Sequence, residues 1–296
     1  MAPFLTIQGA EERLQTLLPG VYRGRTDEVQ PVSMGSAPLA FDVDGNVAWD
    51  RMWGTFCDLA MAGGPPHKGK LLEPATTAEV LSDPARYAEV CDEIVRGIDL
   101  AARLQATASS VPGWLRVRCS SVTMAQWLLR AITMENVSVR LEGDAILLPV
   151  GPAFRIEKEI KNVITVTAKT THYWKSHLHR LQQIGIANVF AALDSEAPLL
   201  QPAWSENAEA AEARVRIRCE LEAASGLRTT THSYTNWIGL EAGSVGSAIV
   251  TMRRLVASNI LCRREDTTLF VPFNAVEDPQ GSRLAHSVSQ LLRTDA

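Results

Sequence analysis

The sequence predicts an α/β protein, with a mixed α+β arrangement as its variant, built from two pseudo-symmetric β-α-β-α-β-α-β-β repeats. Three observations predict this internal duplication. Segment 114–149 aligns without gaps on segment 237–272 at a constant shift of 123 residues. Nine of those 36 pairs are identical: Trp114/Trp237, Ser121/Ser244, Val122/Val245, Ala125/Ala248, Arg130/Arg253, Asn136/Asn259, Arg140/Arg263, Glu142/Glu265 and Pro149/Pro272. Most other pairs keep apolar or polar character, and short extended runs alternate with amphipathic helical ones.

Upstream, a weaker match at a shift of 125 sets Trp49, Trp53, Phe56 and Leu59 against Trp174, Leu178, Leu181 and Ile184. Steps of four, three and three residues put each set on one face of a helix. The expected boundaries are an N-terminal segment 1–36, repeats 37–156 and 157–278, and a tail 279–296.

Within each repeat the elements follow in order. A first strand is expected at 39–43 and 163–168, followed by the Trp-anchored helix. A second strand is expected at 70–73 and 188–193, then a long amphipathic helix. Ser82-Asp83-Pro84 opens that helix in the first repeat, with proline in the first turn; Ser205 caps it and Gly226 stops it in the second. A third strand (114–119, 237–242) leads into a helix opened by Ser121 or Ser244 and closed by Asn136 or Asn259. A hairpin turning at Glu142-Gly143-Asp144 or Glu265-Asp266-Thr267 completes the unit. Strands alternating with helices imply crossovers and a mixed sheet.

Composition narrows the function classes. With 46% hydrophobic and 21% charged residues the chain is globular, and 296 residues supply one large or two ordinary domains. A net charge of −4 without a basic stripe excludes a nucleic-acid footprint. The N-terminus lacks the pattern of a secretory signal, and the longest apolar run, 145–154, is broken by proline and too short to span a bilayer. Cys57, Cys91, Cys119, Cys219 and Cys262 are odd in number and widely spaced, as buried thiols of a reducing compartment would be. A cytoplasmic location is expected, with no membrane partner and a homodimer as one assembly.

Several residues carry candidate chemistry. Gly243-Ser244-Val245-Gly246 joins a strand to a helix start, where free amides and the helix dipole attract an anion; a capped tight turn is the plainer account. Cys119 stands before the corresponding helix, whose dipole would lower a thiol pKa, although buried cysteines most often act as small apolar groups. His172, His177 and His179 invite a metal reading, but regular helix geometry turns His177 and His179 apart and disfavours zinc. Lys169 and His172 lie in a Thr-rich segment at an expected strand end and offer a cation and a proton shuttle. The loop Gly63-Gly64-Pro65-Pro66-His67-Lys68-Gly69-Lys70 has no counterpart in the second repeat; Lys68 and Lys70 suit an anion and His67 acid–base work. Asp42 and Asp44, two residues apart on an expected strand, would share one face and hold a divalent ion such as Mg.

Together these point to an enzyme using histidine-based acid–base chemistry of lyase, isomerase or hydrolase type on a small anionic metabolite. Its site is expected at the junction of the two lobes, with His172, His67, Lys169 and Cys119 reacting and no cofactor required. A non-catalytic ligand-binding or assembly module is the alternative.

Overall fold

The computed structural model describes residues 6–23, 38–53, 56–203, 210–232 and 234–292. The chain divides into two units, Pro19–Gln183 and a second formed by Met1–Leu18 with Ile184–Ala296. Helix and strand are mixed in both, and each has its own sheet. None of the described helices is long and apolar enough to cross a membrane.

In the unit 19–183, α2 (Thr77–Ser82) opens with a capping box between Thr76 and Glu79. Next, α3 (Pro84–Ala102) starts with Asp83 accepting from the Arg86 amide and Pro84 in its first turn, as the sequence predicts. Strands β1 (Ala106–Ala108) and β2 (Trp114–Arg118) precede α4 (Val122–Met134), which Ser121 caps by accepting from the Met124 amide. Asn136, at φ 62°, takes the left-handed turn after α4. Then β3 (Arg140–Glu142) and β4 (Ala145–Pro149) form the hairpin. The sheet runs β1-β2-β4-β3 and is antiparallel throughout, with Trp114 opposite Pro149 and Arg140 opposite Leu147.

A π-helical turn, Ile156–Ile160, leads into α5 (Lys161–His172), and a second, Tyr173–His177, leaves it. Helix α5 packs between α3 and α4. Gly97 permits the approach of α3, because a Cβ there would stand 2.2 Å from Ile164 Cδ1.

The other unit contains α1 (Ile7–Leu17), capped by Thr6. The helix α6 (Arg180–Glu196) begins at the border between units, and α7 (Ala210–Ser225) ends before Gly226 at φ 71°. Strand β5 (Trp237–Glu241) leads to α8 (Val245–Val256), which Ser244 caps by accepting from the Ser247 amide. Asn259 repeats the left-handed turn at φ 62°. Strands β6 (Arg263–Glu265) and β7 (Thr268–Pro272) close the antiparallel sheet β5-β7-β6, with Trp237 opposite Pro272 and Arg263 opposite Phe270. Helix α9 (Ser282–Leu291) packs on α7 and α8.

Several expected elements do not form. The stretch 163–168, rich in β-branched residues, lies inside α5, where every one of those side chains is buried; packing on several sides overrides the strand propensity. The stretch 188–193 lies inside α6. Residues 39–43 make a single bridge, Phe41 to Val47, and 70–73 a single parallel bridge, Leu72 to Val137. Every strand pairing within the two sheets is antiparallel, so the predicted mixed sheet is corrected to antiparallel ones.

The Trp-anchored helix is also absent among the described residues of 49–59. There the amides of Leu59 and Ala60 bond the Tyr22 hydroxyl and the Glu135 carboxylate, in place of carbonyls one helical turn back. Its counterpart breaks at Leu178, which adopts φ −108° and ψ 97°, and leaves Leu181 and Ile184 exposed. Ser205 lies outside the described residues.

Candidate functional site

The polar interior of the unit 19–183 is organised by α5. Asn162, Lys169 and Tyr173 are seven and four residues apart, which on a helix keeps them within a stripe about 40° wide. Each meets the chain between Phe56 and Lys68, an irregular loop interrupted by the 3-10 turn Ala60–Ala62.

Lys169 is the centre. Its Nζ lies 2.8 Å from Glu135 Oε1, and the two side chains are 1% and 0% exposed. It also donates to the Asp58 carbonyl at 2.8 Å, and the Cys57 thiol lies near enough to act on its ionisation. Two oxygens, one of them a carboxylate, thus hold the ammonium. Glu135 stands at the C-terminal end of α4 and is equally occupied. Its Oε1 also accepts from the Ala60 amide at 2.9 Å, and its Oε2 from the His67 amide at 2.8 Å. Burial disfavours the lysine charge, but the Glu135 carboxylate outweighs it and holds the Lys169 pKa above its ordinary value. Burial pushes the Cys57 thiol up, against the pull of the Lys169 ammonium.

His67 occupies one end of the stripe. Its Nε2 lies 3.1 Å from Asn162 Oδ1, so with that amide assignment Nε2 carries the proton. Its Nδ1 is buried and has no hydrogen-bond partner. Burial pulls the pKa down to about 4, so the ring is neutral at pH 7. The backbone of the same loop is fixed by Asn136, whose Nδ2 donates to the Lys68 carbonyl at 2.7 Å.

Tyr173 occupies the other end. Its hydroxyl lies 2.6 Å from that of Tyr22, and Tyr22 donates to Asp58 Oδ1 at 2.8 Å. Asp58 is exposed and Cys57 half-buried, so the chain of polar contacts reaches solvent here. Burial, reinforced by these contacts, raises the Tyr22 pKa far above the usual phenol range. Beside Tyr173, His172 packs against Phe56 at 5.4 Å between ring centroids, and its Nε2 lies 3.2 Å from His177 Nε2.

Of the residues expected to react, Lys169 and His67 therefore converge on one carboxylate, and His172 adjoins the same stripe. They do so from helix α5 and its partner loop, not from strand ends. His172 and His177 meet because the π turn replaces regular helical spacing. His179 is exposed and accepts from the Gln182 amide.

Cys119 departs from expectation. It is 5% exposed, and burial, with Asp144 adding, pushes its thiol up to about 12; desolvation outweighs the nearby helix start. Asp42 and Asp44 do not form a paired face. Asp42 Oδ1 accepts from the Asp44 and Asn46 amides at 3.0 and 2.9 Å, closing a turn where a strand was expected. Among the described residues, no three His, Cys, Asp or Glu side chains gather as a metal-holding group. Gly243, Ser244 and Gly246 belong to the other unit, where Gly243 adopts φ +79° and the Ser244 hydroxyl is engaged as the cap of α8. Lys68 is half-exposed and Lys70 exposed.

Sequence reasoning missed Glu135, Cys57, Asp58, Asn162, Tyr22 and Tyr173. Two signals were present: a carboxylate beside the left-handed Asn136, and Asn162 and Lys169 at helical spacing within a segment read as extended. A separate cleft of about 250 Å³ in the same unit is lined by Phe41, Val47, Val90, Glu93, Arg96 and Ile160 among others. Its charges are engaged already, since Arg96 pairs with Glu93 at 2.7 Å. Compared with known protein families, curated proteins and solved structures, the chain matches none.

Proposed function

We propose that the unit 19–183 carries the active site of an enzyme that acts on a small molecule by acid–base chemistry. Cys57 and Asp58 are the groups that meet the substrate; Lys169, Glu135, His67 and the tyrosine pair stand behind them. The observation that carries this reading is the sealed Lys169–Glu135 ion pair beside a half-buried thiol. A buried ion pair stabilises a fold no better than apolar packing of the same volume. Clusters of shifted ionisable groups at a solvent edge are, by contrast, characteristic of reacting sites. In this reading the Cys57 thiol gives its proton to solvent or substrate at the exposed edge, and the nearby Lys169 ammonium stabilises the thiolate that remains. Lys68 and Lys70, at the outer end of the same loop, supply positive charge for an anionic substrate. The reaction class is lyase, isomerase or hydrolase.

A thermal-shift screen of small anionic metabolites, followed by a turnover assay on each hit, tests this. Hits are expected to be consumed by the native protein, with Cys57→Ala and Asp58→Asn losing turnover at least a hundredfold while the fold persists. Undiminished turnover in both variants sinks the reading. A second reading is a non-catalytic binding or assembly module, favoured by the three backbone contacts through which Lys169 and Glu135 clamp the loop. Hits that bind without being consumed support it.

We also propose that the two units descend from one duplicated element. The gapless match at a shift of 123 supports this, together with equal sheet registers, serine caps at 121 and 244, and left-handed asparagines at 136 and 259. Loop 56–70 would then be where one copy diverged.

A further inference from the structure

We propose that His172 and His177 form a binding site for a divalent transition-metal ion such as zinc, cobalt or nickel, its remaining positions filled by water or a ligand. The two Nε2 atoms face each other at 3.2 Å. Two metal–nitrogen bonds of about 2.0–2.1 Å, opened to a tetrahedral angle, set their nitrogens roughly 3.3–3.4 Å apart. The bare pair therefore already has close to the required bite.

The backbone explains how. Histidines five residues apart do not meet on a regular α-helix, but the π turn Tyr173–His177 adds a residue to the turn and brings them together. The rings are held in place: His172 packs on Phe56 at 5.4 Å, and His177 on Tyr173 at 4.9 Å. His172 is exposed and His177 half-exposed, so an ion has access. Without metal the contact is an N–H···N hydrogen bond. Binding moves one proton from Nε2 to Nδ1 of the same ring, and both rings stay neutral and ligating. Imidazole nitrogen suits borderline ions, which sets this site apart from the oxygen-bound magnesium expected at Asp42 and Asp44. The site stands independently of the acid–base reading at Cys57.

The test is titration of untagged full-length protein with cobalt(II) at pH 8, followed by calorimetry and by the visible absorption of the ion. One saturable ion per chain is expected, with a spectrum showing nitrogen ligation. His172→Ala and His177→Ala should each weaken binding roughly tenfold or more, and His179→Ala should leave it unchanged. His172→Gln and His177→Gln, with circular dichroism of the native protein, guard against misfolding as the cause. No saturable uptake, or equal affinity in a His172→Ala/His177→Ala double variant, overturns the proposal.

Discussion

Glu135 ends α4 and Lys169 sits three-quarters of the way along α5, yet their side chains meet at 2.8 Å in a place water does not reach. Together they bind the backbone of the loop at Asp58, Ala60 and His67.

Removing one partner leaves an uncompensated buried charge. Glu135→Gln and Lys169→Met are each expected to lower the unfolding free energy by about 3–5 kcal/mol. The Glu135→Leu/Lys169→Met double variant should recover much of that loss, because apolar packing replaces both charges. Urea denaturation measures the difference. Single losses under about 1 kcal/mol would show that the pair is solvated in solution.

The neutral His67 makes stability depend on pH. Its pKa is about 4 in the fold against an ordinary 6.5, so the unfolded chain binds the proton more readily. The stabilisation is complete above pH 6.5 and fades as pH falls toward 4, by about 3 kcal/mol in all. His67→Gln does not titrate, and its stability between those limits should vary less by that amount. Equal pH slopes for the two proteins would contradict the burial of this ring.

Asn136 separates backbone conformation from side-chain bonding. Its φ is 62°, and its Nδ2 holds the Lys68 carbonyl at 2.7 Å. Alanine loses the bond and meets the left-handed penalty; glycine loses only the bond. Asn136→Ala should therefore be less stable than Asn136→Gly by about 1 kcal/mol in denaturant titration. The reverse order would refute the left-handed assignment.

Gly113 turns the chain into β2 at φ +84°, and a Cβ there would lie 2.1 Å from the Ala75 carbonyl oxygen. Backbone on both sides leaves little room to yield. Gly113→Ala is expected to cost about 3 kcal/mol or more, lowering the thermal midpoint. A midpoint equal to that of the native protein would rule out this close approach.

The sequence by itself determined the elements whose rules are local. Ser121, Ser244 and Asp83 cap helices because a short oxygen-bearing side chain satisfies amides two or three residues on. Asn136 and Asn259 end them because asparagine tolerates positive φ. Strands 114–118 and 237–241 and their hairpins follow from alternation and turn chemistry. His67, Lys169 and His172 were legible as residue types suited to acid–base work.

Tertiary structure alone decided the rest. Residues 163–168 carry strand propensity worth about 1 kcal/mol or less per residue, a preference that burial against α3 and α4 overrides. That switch puts Asn162, Lys169 and Tyr173 on one stripe, a spacing without meaning in a strand. Glu135, Lys169 and Cys57 lie far apart in sequence, and only the packing of α4, α5 and the 56–68 loop removes water from between them. Loss of solvent is what changes their ionisation, and no local pattern in the chain encodes it.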